Sequence, residues 1–435
     1  AEEITDHLRI AAAYKVHGRC CLGAGRLGEA ITSLERSIGI FEQWRKRLEQ
    51  AHCQELLGEA LLAAGQVGDG DRQYETAVAA LQELGRSHEC TELYSRWADA
   101  HLRAERHVEA LQVLGRAVQM HRAANHQRQL CEMLRLQGNC QLAIADLAAA
   151  RESLIEAGEL AQVVADAGLQ ARCDYSLGAA LAKLDEPERA TELLQASAAA
   201  AAELGDLRTR ERCLATLARL RRQAGDNDGA LELTRAWLAL VQELGDSGEE
   251  IRALGSLASL SREAGILDES ETHLRRLLAL CEDGKHERER AFADRGLAAL
   301  LIKRGEHTEA LTHLDRAVAY YEPALRDPNA SLERLQVLER VLSYRAGCHS
   351  RQGHAQQARD DLERCLQILE GPIPEAKRDR NHLAAVLGGL ASASRLLDRP
   401  GDADDYLRRA QAVCEEQGTV RATRVLRQHT EHEAD

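Results

Sequence analysis

The sequence predicts an all-α fold, an α-solenoid of about ten helical hairpins, and two observations lead to that prediction. First, the 435 residues include only 6 prolines and 3% aromatic residues, and they are rich in Ala, Leu, Glu, Gln and Arg, which form helices readily. Second, a pattern of small, turn and large residues recurs along the chain at a constant interval, which is the interval between Gly18 and Gly58 in the sequence. A fixed period of about 40 residues is typical of proteins built from stacked helical pairs.

A small residue recurs at one fixed position of the repeat, which we call the anchor. The first eight anchors are all Gly or Ala and are evenly spaced: Gly18, Gly58, Ala98, Gly138, Gly178, Ala218, Ala258 and Ala298. Two more, Ala346 and Ala391, follow at longer intervals. The spacing predicts eight regular repeats over 1–320, two longer-spaced repeats over 321–417, and a capping helix and tail over 418–435.

Positions after the anchor predict two packed helices in each repeat. A turn residue is expected seven residues after the anchor, a small residue after twelve and a large residue after sixteen, as in Gly65, Gly70 and Tyr74. The small residues let two helices approach closely, and the large one fills the space between them. Pro187 and Pro400 each lie nine residues after an anchor, where the second helix should begin, and proline is favoured in a first helical turn.

Two stretches interrupt the regular spacing. Residues 321–331 and 370–380 together contain four of the six prolines. Proline ends helices and biases the preceding residue towards extended backbone. We therefore expect both stretches to be loops between repeats.

This pattern of small residue, turn, Ala and large residue resembles the tetratricopeptide repeat over residues 8–417. The resemblance implies a right-handed α-solenoid (superhelix). The resemblance is carried by Leu57-Gly58 and Leu177-Gly178, and by Ala residues near the end of the second helix: Ala77, Ala117, Ala157, Ala236 and Ala317. The length of each repeat resembles the extended repeats of Pins-type adaptors, kinesin light chains and bacterial MalT-like regulators. The sequence departs from the family pattern at four positions: Asp174, Asp294, His17 and Arg345.

A glycine-rich stretch raises the alternative of a nucleotide-binding loop. Gly23, Gly25 and Gly28 match the G-x-G-x-x-G spacing, but that fingerprint requires a β-strand before it. The preceding residues predict a helix, and AAGQVGDG at 63–70 has the same layout without the fingerprint. We interpret Gly23–Gly28 as a turn between two helices.

We find no catalytic or metal-binding constellation. There is no C-x-x-C, H-E-x-x-H, G-x-S-x-G or P-loop, so we expect no enzyme activity, no cofactor and no metal. Six cysteines recur at two repeat positions where small packing residues are expected: Cys20, Cys53, Cys140, Cys173, Cys213 and Cys348. We expect four histidines to be solvated surface residues: His101, His107, His307 and His313.

Charge and hydropathy restrict the possible partners. The net charge of −14 argues against general nucleic-acid binding, and the few aromatic residues argue against an RNA-binding array. The sequence has neither the long apolar run of a transmembrane helix nor the layout of a signal peptide, so we expect a cytoplasmic protein without a membrane partner. A small-molecule ligand is not expected.

The resemblance implies a concave groove lined by the first helix of each pair. Positions −6, −2, +1 and +5 from each anchor form one stripe along that helix, and Arg172, Arg212 and Arg252 share one column of it. The predicted peptide-binding residues are the following: Arg172, Lys183, Arg212, Arg219, Arg222, Arg252, Arg262, Lys303 and Asn139. Because Arg is abundant in this chain, chance can also place it three times in one column.

These observations predict a non-enzymatic scaffold or adaptor that binds a linear, acidic peptide segment, extended or helical, in its groove. The alternative is the regulatory or sensor region of a larger bacterial signalling protein, such as a kinase, a STAND ATPase or a peptidase. A preference for Arg over Lys indicates a bacterial source, and the absence of a start Met favours a region of a larger protein.

Overall fold

The structure is a computed structural model, and it describes residues 2–282, 284–327 and 330–415. These residues form twenty α-helices and two short 3-10 helices with no β-strand, so the prediction of an all-α helical-repeat fold is confirmed. The handedness of the solenoid stays a prediction. The predicted capping helix lies outside the described residues.

The chain divides into two compact units, of which residues 1–224 form unit 1. Within each unit, an odd-numbered helix is the first and the next even-numbered helix the second of a pair. The helices of unit 1 are α1 (Glu2–Gly23), α2 (Leu27–Gln43), α3 (Arg47–Ala63), α4 (Val67–Glu83), α5 (Ser87–Arg103), α6 (His107–Ala123), α7 (Gln127–Ala143), α8 (Leu147–Val164), α9 (Ala167–Lys183), α10 (Pro187–Leu204) and α11 (Leu207–Gln223).

Unit 2 covers residues 225–435. Its helices are α12 (Asn227–Leu244), α13 (Ser247–Glu263), α14 (Leu267–Leu280), α15 (Glu287–Arg304), α16 (His307–Tyr321), α17 (Leu332–Arg351), α18 (Ala355–Glu370), α19 (Arg380–Leu396) and α20 (Pro400–Glu415). The 3-10 helices Glu322–Leu325 and Glu375–Lys377 lie in the two proline-containing connections. As predicted, these stretches separate helices, and Pro187 and Pro400 begin second helices.

The repeat length sets the helix length. From Leu27 to His307, a new α-helix begins at every half repeat, which leaves only a few residues for each turn. Gly25 sits in the first of these turns with φ of +73°, a left-handed conformation that glycine adopts without strain. Helix α1 occupies the residues before Gly25, so the interpretation of Gly23–Gly28 as a turn is confirmed.

The anchors mark the closest approach of the two helices in a pair. A Cβ atom on Gly138 would lie 2.5 Å from Leu154 Cγ and 3.3 Å from the Ala150 carbonyl oxygen. One on Gly58 would lie 2.7 Å from the ring of Tyr74. Leu154 and Tyr74 are almost fully buried, so the large residue does fill the space beside the anchor.

The departures from the family pattern are satisfied by polar partners. Arg345 binds both carboxylate oxygens of Asp361, at 2.6 and 2.8 Å. His17 Nδ1 lies 2.9 Å from Ser33 Oγ, also sixteen residues later. Because two of these anomalous side chains are matched at the same interval, they form polar links between the helices of a pair.

Two of the four histidines predicted to be solvated, His101 and His313, are buried, so the prediction was wrong for them, and His107 and His307 are half-buried. His101 Nε2 lies 2.8 Å from Asp71 Oδ1, and His313 Nδ1 lies 2.6 Å from Asp294 Oδ1. Each ring reaches a carboxylate on a neighbouring helix. Such a partner removes the cost of burying a polar ring.

His121 is buried without hydrogen bonds to its ring nitrogens. The equivalent residues of the other seven regular repeats are apolar and buried: Phe41, Leu81, Ala161, Ala201, Val241, Cys281 and Tyr321. Burial, helped by the charge of His126, lowers the pKa of His121 to about 4. His121 therefore occupies a core position as a neutral ring.

The cysteines pack as predicted, with one exception. All twelve thiols are free, and Cys20 is exposed while the other eleven are buried. Cys140 and Cys348 share its repeat position but have described helices packed before their own. Cys20, on the first described helix, is exposed, so the packing prediction was wrong there.

Candidate binding groove

The first helices form the more tightly spaced side of each unit. In unit 1, α1 contacts α3, α3 contacts α5, α7 contacts α9 and α9 contacts α11; in unit 2, α13 contacts α15 and α15 contacts α17. Among the described residues, no two second helices contact each other to this extent. A stack curves towards its tighter side, so the first helices line the concave surface within each unit.

A cavity of about 260 Å³ lies on this surface of unit 1, between α5, α7 and α9. Its lining includes Glu92, Glu132 and Arg172, which occupy the −6 position in three successive repeats. Arg172 Nη2 lies 4.0 Å from Glu132 Oε2, and Arg135 Nη2 donates to Glu132 Oε1 at 2.8 Å. Burial would raise the pKa of Glu132, but the Arg135 hydrogen bond and the charges of Arg135 and Arg172 lower it.

The other predicted residues of unit 1 differ in their exposure and in their polar partners. Lys183 Nζ donates to the Leu142 carbonyl oxygen at 3.3 Å, at the end of α7. Arg212 and Arg219 are exposed on α11, and no described carboxylate lies within salt-bridge distance of either. Among the remaining predicted residues of unit 1, Arg222 is exposed and Asn139 is half-buried.

The predicted residues of unit 2 lie on α13 and α15. Arg252 forms a salt bridge with Glu249 on its own helix. Arg262 and Lys303 are exposed near the ends of their helices. Arg262 lines a cavity of this unit.

This second cavity has a volume of about 240 Å³ and lies between α13, α15 and α17, with α14 beneath it. Three cationic side chains line it, Arg262, Arg295 and Arg340, and its lining contains no carboxylate. The guanidinium carbon of Arg295 lies 5.7 Å from the centre of the Phe292 ring, within the range of a cation–π contact. Tyr344, 43% exposed, adds a second aromatic surface.

Sequence reasoning found Arg262 but missed Arg295, Arg340, Phe292 and Tyr344. Phe292, Arg340 and Tyr344 lie at the −6 and −2 positions of repeats 8 and 9, so the stripe rule carried two repeats further would have found them. Arg295 lies three residues before its anchor, beside the stripe. Only the structure shows that its side chain reaches the cavity.

The charge of the surface changes beyond this cavity. A neighbouring cavity of about 230 Å³ shares Arg295 and Arg340 and is also lined by Glu333, Glu339 and Asp379. The charged side chains that line the first cavity of unit 2 are therefore all cationic, whereas those that line the second cavity are of both signs. A bound chain would meet the two cavities in a fixed order.

The described helices, in consecutive packed pairs, form an all-α helical-repeat solenoid. No protein-family model matches the chain, and no curated protein matches it. None of the described helices combines the length and the apolar character needed to cross a bilayer.

Several proteins of solved structure are similar to this chain. A STAND protein with a tetratricopeptide repeat sensor from Pyrococcus horikoshii is 12% identical to this chain, with a TM-score of 0.58. The match covers 84% of this chain and 53% of the STAND protein. A Rap protein complexed with Competence and Sporulation Factor is 12% identical, with a TM-score of 0.47, covering 84% and 97%. The kinesin light chain-like repeats of Podosopora anserina are 21% identical, with a TM-score of 0.38, covering 48% and 97%. The chain thus spans about half the length of the STAND protein, and at 12% identity that likeness concerns the fold alone.

Proposed function

We propose that this chain is a non-enzymatic interaction scaffold that binds a linear, acidic segment of a partner protein along its first helices. The observation that carries the proposal is the unit 2 cavity, where Arg262, Arg295 and Arg340 line one space without a carboxylate. Placing three like charges around one cavity is unfavourable unless an anionic group offsets them. Guanidinium groups bind carboxylates through paired hydrogen bonds.

The size of the cavity favours a side chain over a whole small molecule. At about 240 Å³ it is below the range of about 300–1,000 Å³ that is usual for small-molecule sites. It lies on a surface that continues along successive first helices, as a peptide requires. Phe292 and Tyr344 offer apolar contacts beside the cations, so an aromatic or aliphatic residue next to an Asp or Glu would complete the match.

The predicted arginine column contributes unequally to this proposal. Arg212 and Arg219 are exposed and form no salt bridge with a described carboxylate, so they can receive acidic residues in unit 1. Arg172 and Arg252 already lie close to glutamates of their own unit. We expect these two to contribute less to binding than their position in the column implies.

Charge reversal at the cavity tests the proposal. The assay is fluorescence anisotropy of a labelled peptide rich in Asp and Glu with one aromatic residue. Each charge-assisted hydrogen bond is worth about 1.5–3 kcal/mol, so Arg262→Glu or Arg340→Glu should lower the affinity about 10- to 100-fold. The matched control is Arg408→Glu on the second helix α20, where Arg408 is 74% exposed.

The control should bind like the unmodified chain, and added salt should weaken binding because the attraction is electrostatic. Equal affinities for all the variants would contradict the proposal. So would binding that is indifferent to the acidic residues of the peptide.

A second candidate function is the sensor region of a larger signalling protein. It is favoured by the likeness to the STAND protein, whose printed description includes a tetratricopeptide repeat sensor and of which this chain covers 53%. The test is the full reading frame of the gene. A fused ATPase, kinase or peptidase domain would support this candidate, and a frame that encodes only these repeats would exclude it.

A further inference from the structure

A cluster of three side chains in the first hairpin has ligand chemistry that the groove does not use. His17 and Cys21 lie one turn apart on α1, so they share one face of that helix. Glu29 lies in the first turn of α2 and approaches the same face. One potential ligand atom from each residue lies within 4.8 Å of the other two.

We propose that His17, Cys21 and Glu29 form a binding site for one divalent metal ion of the zinc type. The Cys21 sulfur lies 3.7 Å from each imidazole nitrogen of His17 and 4.0 Å from Glu29 Oε2. In a tetrahedral zinc site, bonds of about 2.3 Å to sulfur and about 2.0–2.1 Å to nitrogen or oxygen put the ligand atoms about 3.6 Å apart. The two distances from the sulfur need only a small contraction. The His17 nitrogen and the Glu29 oxygen lie within 4.8 Å of each other and must approach by up to about 1.4 Å.

The surroundings hold the histidine as metal sites do. Ser33 Oγ lies 2.9 Å from His17 Nδ1, so a hydrogen on Nδ1 can be donated to the serine and Nε2 is left to bind the ion. Metal-binding histidines characteristically make such a second hydrogen bond. Arg26 donates to both carboxylate oxygens of Glu29, at 3.3 and 3.0 Å, which orients the carboxylate and weakens its attraction for a cation.

The types of ligand determine the class of ion. A thiolate, an imidazole and a carboxylate suit zinc or a chemically similar ion, whereas magnesium and calcium prefer oxygen ligands alone. Binding requires loss of the Cys21 thiol proton to solvent. The thiolate and the carboxylate then balance the two charges of the ion. A fourth position stays open to water on the side of His17 and Glu29, which are exposed.

Other repeats show that this position does not require polar residues. The residues equivalent to His17 and Cys21 are both leucine in repeats 2, 5 and 8: Leu57 with Leu61, Leu177 with Leu181, and Leu297 with Leu301. Packing alone therefore accounts for leucine at both positions. The first repeat instead brings a histidine, a thiol and a carboxylate together.

The test uses the purified full-length chain, stripped of metal with a chelator and titrated with cobalt or cadmium. Thiolate-to-metal absorption and the number of ions bound should show one site that is lost in both Cys21→Ser and His17→Ala. The matched control is Cys20→Ser, since Cys20 is the adjacent, exposed thiol. This control should keep the site, and Ser33→Ala should weaken it about 10- to 100-fold.

Circular dichroism of each variant establishes that it is folded. The exposed His17 supplies a variant that leaves the core intact if Cys21→Ser unfolds. No thiolate absorption in the unmodified chain would overturn the proposal. The proposal would also be overturned if Cys21→Ser and His17→Ala bound as many ions as the unmodified chain with the same spectrum, or if Cys20→Ser removed the absorption.

Discussion

The substitution Gly138→Ala tests the close approach of paired helices at the anchors. The new Cβ atom would lie 2.5 and 2.7 Å from two carbon atoms of Leu154, so Leu154 or the helix α8 must move by roughly an ångström to restore ordinary contact. Overpacking of this kind costs about 1–3 kcal/mol. Ala at a helical position returns about 0.8–1 kcal/mol relative to Gly.

A matched control separates these two effects. Gly115 lies inside α6, and a Cβ atom there would meet no other atom within 4 Å. Gly115→Ala should therefore raise stability by about 0.5–1 kcal/mol through helix propensity alone. The difference between the two variants is the packing cost. Ala98 packs beside Leu114 at the equivalent positions, so we expect this cost in the lower part of its range, about 1–2 kcal/mol.

Urea unfolding followed by circular dichroism measures both variants. Because a long repeat array can unfold in more than one step, the transition midpoints are compared under identical conditions. Gly138→Ala should unfold at a lower urea concentration than Gly115→Ala, and adding Leu154→Ala should remove the sensitivity to residue 138. A midpoint for Gly138→Ala at or above that of Gly115→Ala would refute the reasoning.

Three further predictions follow. The pKa of His121 is lowered to about 4, so the unfolded chain takes up the proton at a higher pH than the folded chain does. The free energy of unfolding should therefore fall by about 1–3 kcal/mol as the pH drops from about 6.5 to 4. The urea midpoint of His121→Leu should be higher and should fall less over this range. Asp361→Asn breaks the pair with Arg345 and should cost about 3 kcal/mol by the same assay, whereas the exposed Asp360→Asn should change stability by less than about 0.5 kcal/mol. A thiol reagent should label only Cys20 rapidly in the folded chain and all twelve cysteines after unfolding; several fast thiols would contradict the described burial.

The helices could be predicted because the repeat has a constant length. The alignment of Gly18 with Gly58 gives the length of the repeat. The position of one turn then predicts the positions of the equivalent turns in the other regular repeats. Pro187, at an independent position, begins α10 as predicted. Local sequence was sufficient here because helix starts and turns depend on residues that are close in the chain.

The buried polar pairs could not be predicted in the same way. His101 is completed by Asp71, which lies 30 residues earlier, and His313 by Asp294, 19 residues earlier. Both carboxylates come from another helix. A single histidine in the sequence carries no sign of such a partner, which explains why both residues were assigned to the surface.

The candidate site was predicted only in part for a related reason. Arg262, named from the edge of the stripe, lines the unit 2 cavity, but Arg340 lies in the repeat where the spacing between anchors first lengthens. A column of equivalent residues is hard to follow across such a change. Arg295 reaches the cavity from outside the stripe, which depends on the path of a long side chain.

The most direct test of the account is where a bound acidic peptide touches the chain. A photoreactive residue placed beside the Asp and Glu residues of the peptide would be cross-linked to the protein and mapped by mass spectrometry. We predict cross-links on α13, α15 and α17, close to Arg262, Arg295 and Arg340. Cross-links concentrated on the second helices, or unchanged by Arg340→Glu, would contradict a binding groove on the first helices.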